Sequence, residues 1–102
     1  MQKFDYRAPR FSVDLPVRLT LEGSTLIGRC RDISSKGVRL ELPQPLPPDA
    51  CGTVSIGYQD HILELNVRVA HAGATQGGME FMYNYASERS AVERFLAALK
   101  TP

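Results

Sequence analysis

The chain has 102 residues, of which 43% are hydrophobic, and a formal net charge of +1. This length fits one domain with its own core, and the near-neutral charge excludes a global field that would draw the chain to nucleic acid or to a membrane. The apolar runs fall well short of the ~20 residues of a membrane-spanning helix, so no membrane insertion is expected. Residues 1–5 lack the apolar core of a signal peptide, and the cytoplasm is the expected compartment.

The first predicted element is a long strand. Apolar residues occupy every second position from Phe11 to Leu21, which is typical of a half-buried strand, and Pro16 within it indicates an edge, a bulge or a bend. Turn residues and hydrophobic patterning predict five further strands over residues 25–33, 38–42, 53–58, 63–69 and 79–83. A stiff proline-rich loop is expected over residues 43–49, and a glycine-containing loop over residues 72–78.

The hydrophobic periodicity changes near the C-terminus. From Val92 to Leu99, apolar residues fall at i, i+3, i+4 and i+7, which predicts a helix at about residues 87–100. Ser87 is expected to cap its N-terminus, with Glu88 favourable in the first turn. Six strands followed by one helix predict an all-β-dominated fold, a six-stranded antiparallel β-barrel with one C-terminal α-helix docked on it.

Motifs for catalysis or metal binding do not occur in the sequence. It has no P-loop, no GxGxxG, no HExxH and no local pattern of a Ser/His/Asp triad, so no catalytic residue is assigned and the protein is not expected to be an enzyme. Cys30 and Cys51 lack CxxC spacing and are expected to be reduced, partly buried thiols. They form no metal pattern with His61 or His71, so neither a metal nor a cofactor is expected, and His71 is expected to face the barrel or its rim.

The turn from Asp32 to Gly37 has two interpretations. In the simpler one it is an ordinary hairpin turn, in which Asp32 and Ser34 bond to nearby backbone amides. In the other it is a binding element, because alternation places Asp32 and Ser34 on one face at the end of a strand. Gly37, which can take a positive φ, then lets another group approach the backbone closely.

Two arginines precede the first strand and favour the second interpretation. Arg7 and Arg10 flank Pro9, which keeps this segment extended. Guanidinium groups suit phosphate oxygens and the O6/N7 edge of guanine. The Asp32 carboxylate can accept from guanine N1–H and N2–H, so the arginines and the turn together indicate a guanine-and-phosphate site.

Arg7-Ala8-Pro9-Arg10-Phe11, followed by Asp32-x-Ser34-x-x-Gly37, resembles the PilZ domain. Members of that family are six-stranded barrels with a C-terminal helix, and many bind the bacterial second messenger cyclic di-GMP. Their hallmarks are RxxxR in a mobile N-terminal segment and [D/N]xSxxG on the barrel, and Gly78-Met79-Glu80-Phe81 is similar to the family's late glycine-then-aromatic strand. The resemblance implies a mobile arginine segment over residues 1–10 and a barrel with its helix over residues 11–102.

The resemblance also implies the positions that contact cyclic di-GMP. When the arginine motif is aligned on Arg10, Tyr6 stands in place of its first arginine. The primary contacts implied are Arg7, Arg10, Asp32, Ser34 and Gly37. Candidate secondary contacts are Tyr6, Arg31 and Lys36.

Three functions remain open from the sequence. The leading hypothesis is a cyclic di-GMP receptor whose N-terminal segment orders around the ligand and presents a new surface to a protein effector. The alternative is a PilZ-like adaptor that does not bind cyclic di-GMP and acts through protein contacts, for example in motility or type IV pili, and Tyr6 supports it. A nucleic-acid-binding barrel needs a basic groove with exposed aromatics, which the near-neutral charge disfavours. The remaining strand arginines are interpreted as solvated, namely Arg29, Arg31 and Arg39.

Overall fold

The computed structural model describes residues 9–100, which form six strands and one helix. The elements are β1 (Phe11–Leu21), β2 (Ser24–Ile33), β3 (Gly37–Glu41), β4 (Cys51–Tyr58), β5 (His61–Ala72), β6 (Gln76–Phe81) and α1 (Ala86–Lys100). The strands are antiparallel and close into a barrel in the order β1-β2-β3-β6-β5-β4. The predicted fold class is therefore confirmed.

The inward positions of the strands form one hydrophobic core. Leu19, Leu40, Val54 and Val67, from four different strands, have no exposed surface. They alternate with outward polar residues because successive side chains of a strand point to opposite faces. The helix α1 adds Val92 and Phe95, its buried residues, to the same core.

Pro16 lies where its missing N–H interrupts no hydrogen bond to β4. The ladder between β1 and β4 begins one residue later, at Val17. A register shift between Ser12 and Leu15 in β1 lies nearby. The bend or bulge that the proline predicted is therefore present in this part of the strand.

Two β-bulges decide which side chains reach the outer face of the barrel. Between Cys30 and Asp32, β2 has one residue more than β3 opposite it. Between Val69 and His71, β5 likewise has one residue more than β6. An extra residue reverses the alternation, so Asp32 and His71 point outward although Cys30 and Val69, two positions earlier, lie in the core.

The strand β6 begins earlier than the sequence predicts. Residues 76–78 belong to it, whereas the glycines at 77 and 78 predict a loop. Both glycines are paired on two sides, with β3 and with β5. Two ladders hold a segment whose own propensity for a strand is weak, because the context of a sheet outweighs propensity.

The helix begins one residue before Ser87, so the predicted cap is wrong. The Oε1 atom of Glu88 accepts hydrogen bonds from the backbone N–H groups of Asn84 at 2.6 Å and Tyr85 at 3.0 Å. A glutamate in the first turn that reaches back in this way satisfies amides that precede the helix, as in a capping box. Within residues 9–100 no helix is long and apolar enough to cross a membrane.

Candidate ligand-binding site

Ser34 closes the turn between β2 and β3. Its backbone N–H donates to the carbonyl of Gly37 at 2.9 Å, and its Oγ accepts from the N–H groups of Lys36 at 3.1 Å and Gly37 at 3.4 Å. Only 2% of the residue is exposed. Ser34 lies past the end of β2, so the turn and not strand alternation sets its orientation. The simpler interpretation, a hairpin turn bonded to its own amides, describes Ser34.

Gly37 is required by the approach of β6 to β3. A Cβ atom at this position would lie 2.0 Å from the carbonyl oxygen of Met79, far inside van der Waals contact. Among the described residues the only glycine with a positive φ is Gly23. Gly37 therefore does not use the positive φ that a glycine can take, and the close approach that it allows is made by the chain's own backbone.

The opposite side of the turn is fastened to the chain that leads into α1. The hydroxyl of Tyr83 donates to the carbonyl of Ser35 at 2.6 Å, and the N–H of Phe81 donates to the carbonyl of Lys36 at 2.8 Å. The guanidinium of Arg89 lies over the Tyr83 ring, 4.3 Å from its centroid. Burial raises the pKa of the Tyr83 phenol, so it remains a protonated donor at neutral pH.

Asp32 accepts hydrogen bonds from two guanidinium groups. Its Oδ1 lies 2.6 Å from Nη2 of Arg10, and its Oδ2 lies 3.2 Å from Nε of Arg39. The Asp32 side chain is 14% exposed, against 52% for Arg10 and 42% for Arg39. The structure thus brings Arg10 and Asp32 into contact and adds Arg39, for which the sequence predicts a solvated strand face.

A signal for Arg39 was present in the sequence. The hairpin closes with Ile33 paired to Val38. The next pair along the two strands is therefore Asp32, one residue before Ile33, opposite Arg39, one residue after Val38. Opposite charges at facing positions of antiparallel strands form pairs. Counting the register of the hairpin therefore identifies Arg39 as the partner of Asp32.

Asp32 and Arg39 belong to a row of facing residues that point outward from the barrel on four neighbouring strands, which we call the outward row. In order over β2, β3, β6 and β5, the row consists of Asp32, Arg39, Gly78 and His71. Neighbouring strands lie about 4.8 Å apart, so Arg39 and His71 are separated by about 10 Å with only Gly78 between them. A glycine inside a strand often marks a place where a ligand approaches the backbone closely.

Two cavities open along this row, and we call them together the β3–β6 cleft. One, of about 310 Å³, borders the turn at Lys36, and the other, of about 480 Å³, borders Arg39 and the start of β6. Arg10, His71 and Gly78 border both cavities. The two cavities are therefore neighbouring halves of one depression, with the N-terminal arginine at its edge.

The charge at the β3–β6 cleft favours an anionic ligand. Its cationic side chains are Arg10, Lys36 and Arg39, whereas the carboxylate of Asp32 is shared between the two arginines. Asp32 does not itself line either cavity; the carboxylate that does, Glu80, is paired with Arg68 outside the cleft. Arginine forks bind phosphate oxygens in two-pronged geometry, and the cleft presents two of them.

The other predicted contacts divide into three groups. Tyr6 and Arg7 lie outside the described residues. Arg31 is directed to two carboxylates, with its Nη2 at 2.7 Å from Glu41 and its Nη1 at 3.2 Å from Asp14. Lys36 is exposed at the cleft and forms no ion pair within residues 9–100. Lys36 is thus available to a ligand, and Arg31 is already paired.

The thiols are free, but they are not the partly buried pair that the sequence predicts. Cys30 is buried and Cys51 is exposed. Burial, with a smaller contribution from the carboxylate of Asp32, raises the pKa of Cys30 to about 12, so this thiol is unreactive at neutral pH. In the described part of the chain, no three His, Cys, Asp or Glu residues come together as a metal site.

A third cavity, of about 260 Å³, lies between the start of β1 and α1. Its border includes Phe11, Leu96 and the charged residues Glu93 and Lys100. Among residues 9–100 this border is largely apolar and contains no arginine, so it does not match the chemistry of a nucleotide phosphate. The β3–β6 cleft is therefore the better candidate for the ligand site.

Comparisons with known proteins agree with this fold. The family model of the PilZ domain matches residues 5–98. A search of curated proteins finds no match to the sequence.

Among solved structures, the PilZ domain of CeSA from a cellulose-synthesizing bacterium superposes with a TM-score of 0.79 at 18% identity, covering 91% of this chain and 99% of that one. The PilZ domain of YcgR from Escherichia coli with c-di-GMP gives a TM-score of 0.79 at 15% identity, covering 95% of this chain and 92% of that one. The K. pneumonia MrkH–c-di-GMP complex gives a TM-score of 0.75 at 19% identity. The match covers 98% of this chain but only 53% of MrkH, which is the longer protein. These identities show a shared fold, and with the family match they establish that the chain belongs to the PilZ domain family.

Proposed function

We propose that this protein is a receptor for cyclic di-GMP and that the β3–β6 cleft is its binding site. The observation that carries the proposal is the position of Asp32 between Arg10 and Arg39, at 2.6 Å and 3.2 Å, beside this cleft. The arrangement supplies a carboxylate for the N–H groups of guanine and guanidinium groups for phosphate and for the guanine O6/N7 edge. The relatives whose structures contain c-di-GMP, YcgR and MrkH, support the choice of ligand.

Each predicted contact has a role in this proposal. Arg10, together with Arg7 of the N-terminal segment, clamps phosphate and guanine, and Tyr6 contributes a flat face beside them. Asp32 accepts from guanine, which is compatible with its existing bonds because a carboxylate has about four lone-pair sites. Ser34 and Gly37 act by shaping the turn, and Lys36 and, less directly, Arg31 contribute positive charge to the phosphates.

The output of the proposed receptor is a protein contact. Binding would fix the N-terminal arginine segment, residues 1–10, around the ligand at the edge of the barrel formed by residues 11–102. An ordered segment presents a new surface, and this order–disorder step converts ligand binding into recognition by a protein effector. In this proposal the protein acts in the cytoplasm, catalyses no reaction, and needs no metal, nucleic acid polymer or membrane insertion.

Isothermal titration calorimetry with cyclic di-GMP tests the proposal. We expect binding by the wild type, and a loss of about tenfold or more in affinity for Arg10→Ala and Asp32→Ala, because hydrogen bonds to charged groups contribute about 1.5–3 kcal/mol each. Arg18→Ala is the matched control, since Arg18 is an exposed arginine on β1 that borders neither cavity of the β3–β6 cleft. A folded wild-type sample that gives no binding at high micromolar ligand would overturn the proposal.

One observation favours the second candidate, a PilZ-like adaptor without cyclic di-GMP binding. Ile27 and Ile62 are 61% and 72% exposed and face a common cavity of about 300 Å³ on the far side of the barrel. Exposed apolar side chains around one depression are typical of protein contact surfaces. For an adaptor, Arg10→Ala and Asp32→Ala leave function intact, whereas Ile27→Ser with Ile62→Ser abolishes it. For a receptor, the first two variants abolish the response to cyclic di-GMP.

A further inference from the structure

A second surface of the barrel lies opposite the β3–β6 cleft. In the closed barrel β4 is three strands away from β3 in both directions, and its neighbours are β1 and β5. The outward side chains of these three strands form a surface that we call the β4 face, and each of them alternates with buried core residues. The β4 face includes Pro16, Arg18, Ser55, Gly57, Ile62 and Glu64.

Small residues on β4 make this face concave. Ser55 stands between Arg18 on β1 and Glu64 on β5. Two residues further along β4, Gly57 is paired with Ile62 of β5. A cavity of about 300 Å³ borders both Ser55 and Gly57. The β4 face is therefore a trough whose floor is β4 and whose rims are β1 and β5.

An exposed isoleucine stands beside an apolar depression in this trough. Ile62, on the β5 rim, is 72% exposed. On the other side of Gly57 the trough is bordered by Pro16 and by Ile27, which is 61% exposed. A Cβ atom at Gly57 would lie 3.9 Å from Cγ of Pro16, so the floor of the depression is open to a side chain from outside. One face thus carries both an apolar knob and a depression that fits one.

The charges on the β4 face complement each other. Arg18 and Glu64 are exposed, and neither forms an ion pair within residues 9–100. They lie two strand spacings apart, about 10 Å, with the short side chain of Ser55 between them. A second copy of this face carries the opposite charges at the same spacing. Every other arginine of the six strands is paired with a carboxylate, namely Arg29, Arg31, Arg39 and Arg68.

We propose that the β4 face is the contact surface of a homodimer, in which two copies pack face to face about a two-fold axis along β4. A two-fold contact is reciprocal, so any residue pair across it occurs twice. With the axis on β4, Arg18 of each copy meets Glu64 of the other. Ile62 of each copy enters the depression beside Pro16 of the other. The proposal goes beyond ligand binding and does not rest on it.

The size of the β4 face predicts a weak dimer. Ser55 and Gly57 lie on the axis, where their small size allows the two sheets to approach each other. Stable interfaces bury about 1,200–2,000 Å² in total, and three strands of a small, convex barrel provide an area at the low end of this range. The dimer should therefore form at micromolar protein concentrations.

Sedimentation velocity without cyclic di-GMP, over a series of protein concentrations, tests the contact. We expect the wild type to change from monomer to dimer between low and high micromolar protein. Ile62→Ser should raise the dimer dissociation constant about tenfold or more, because each dimer loses two buried isoleucine side chains. Tyr85→Ser is the control, since Tyr85 is 71% exposed but precedes α1, outside the β4 face. It should dimerise as the wild type does.

Reversing the two charges tests the two-fold arrangement. Arg18→Glu brings two pairs of like charges together, and so does Glu64→Arg, so each variant alone should dimerise about tenfold more weakly. An equimolar mixture of the two variants restores opposite charges at both contacts, because each variant supplies the sign that the other lacks. We expect the mixture to dimerise within about threefold of the wild type. Arg94→Glu, which changes an exposed arginine on α1, is the control and should dimerise normally.

The outcomes are separate from those of cyclic di-GMP binding. A wild type that stays monomeric at high micromolar protein overturns the homodimer and leaves the β4 face to an unlike protein. A wild type that dimerises no better than Ile62→Ser and Arg18→Glu overturns the β4 face as its contact. Weakened single variants whose mixture does not recover overturn the pairing of Arg18 with Glu64 across a two-fold axis.

Discussion

The hydroxyl of Tyr83 donates a 2.6 Å hydrogen bond to the carbonyl of Ser35, and this bond joins the candidate binding turn to the segment that leads into α1. The two residues are 48 positions apart in the chain. The bond therefore fixes the turn with respect to the helix, which a hairpin turn bonded only to itself does not do.

Removing this hydroxyl should loosen the turn. Tyr83→Phe leaves the Ser35 carbonyl without its donor, and we expect a loss of about 0.5–1.5 kcal/mol in the free energy of unfolding. Urea denaturation followed by circular dichroism measures this loss. Tyr85→Phe is the control, because Tyr85 is 71% exposed, and its stability should equal that of the wild type. Equal stability of Tyr83→Phe and Tyr85→Phe would show that the bond contributes nothing.

Gly37→Ala should be far more damaging than an ordinary glycine substitution in a strand. Its Cβ would lie 2.0 Å from the carbonyl oxygen of Met79, and two paired strands would have to separate to accommodate it. We expect a destabilisation of about 3 kcal/mol or more, or a failure to fold. Gly57→Ala is the control, since the nearest atom to its Cβ is Cγ of Pro16 at 3.9 Å, an ordinary contact.

The control should retain or gain stability, because replacing glycine by alanine in a strand contributes about 0.5–1 kcal/mol when the site is open. Thermal unfolding of both variants compares them directly. A midpoint for Gly37→Ala within a few degrees of that for Gly57→Ala would contradict the clash with β6.

The barrel itself was predictable from alternation, and the outward row was not. Phe11 to Leu21 form β1 with the predicted bounds because period-two hydrophobicity reports directly on one buried face. The extra residues in β2 and β5 leave no such trace, since a bulge depends on pairing with the next strand. Alternation alone would point Asp32 and His71 inward with Cys30 and Val69.

The candidate site was predictable at Arg10 and Asp32, where residue chemistry and the family motif coincide. Alternation predicts a solvated face for Arg39, because a lone arginine on an alternating strand is indistinguishable from any other until the hairpin register is counted. The sequence predicts a loop at Gly78 because glycine has a low strand propensity, and only the ladders on both sides of β6 reveal its place in the sheet.

Burial of Cys30 should make stability depend on alkaline pH. Its pKa is raised from an ordinary value of 9.0 to about 12, mainly by burial and also by the Asp32 carboxylate. Above pH 9 the unfolded chain loses this proton while the folded protein keeps it, so the free energy of unfolding falls as the pH rises toward 12. From pH 8 to pH 10 this thiol alone should lower the free energy of unfolding by about 1.4 kcal/mol.

Denaturation at both pH values in Cys30→Ala should show a fall that is smaller by this amount than in the wild type. Cys51→Ala, which removes an exposed thiol, should keep the wild-type dependence. The comparison uses differences between pH values, so the loss of core packing in Cys30→Ala does not affect it. The same pH dependence in all three proteins would contradict a buried, protonated thiol.

Arg39 provides the most direct test of the site that the structure adds to the sequence motif. Its Nε donates to Asp32 at 3.2 Å and its Nη1 to Gln76 at 3.3 Å, so its side chain is held along the outward row. Arg39→Ala removes a cation from the cleft and one of the two groups that orient Asp32. We expect cyclic di-GMP affinity to fall about tenfold or more, because a charge-assisted hydrogen bond contributes about 1.5–3 kcal/mol.

The free energy of unfolding of Arg39→Ala should fall by about 1 kcal/mol at most, since Arg39 is 42% exposed and such pairs contribute little to stability. Arg94→Ala, an exposed arginine on α1, should change neither quantity. Wild-type affinity in Arg39→Ala, with binding lost in Arg10→Ala, would restrict the site to the arginine segment and the turn and exclude the row across β3 and β6 from it.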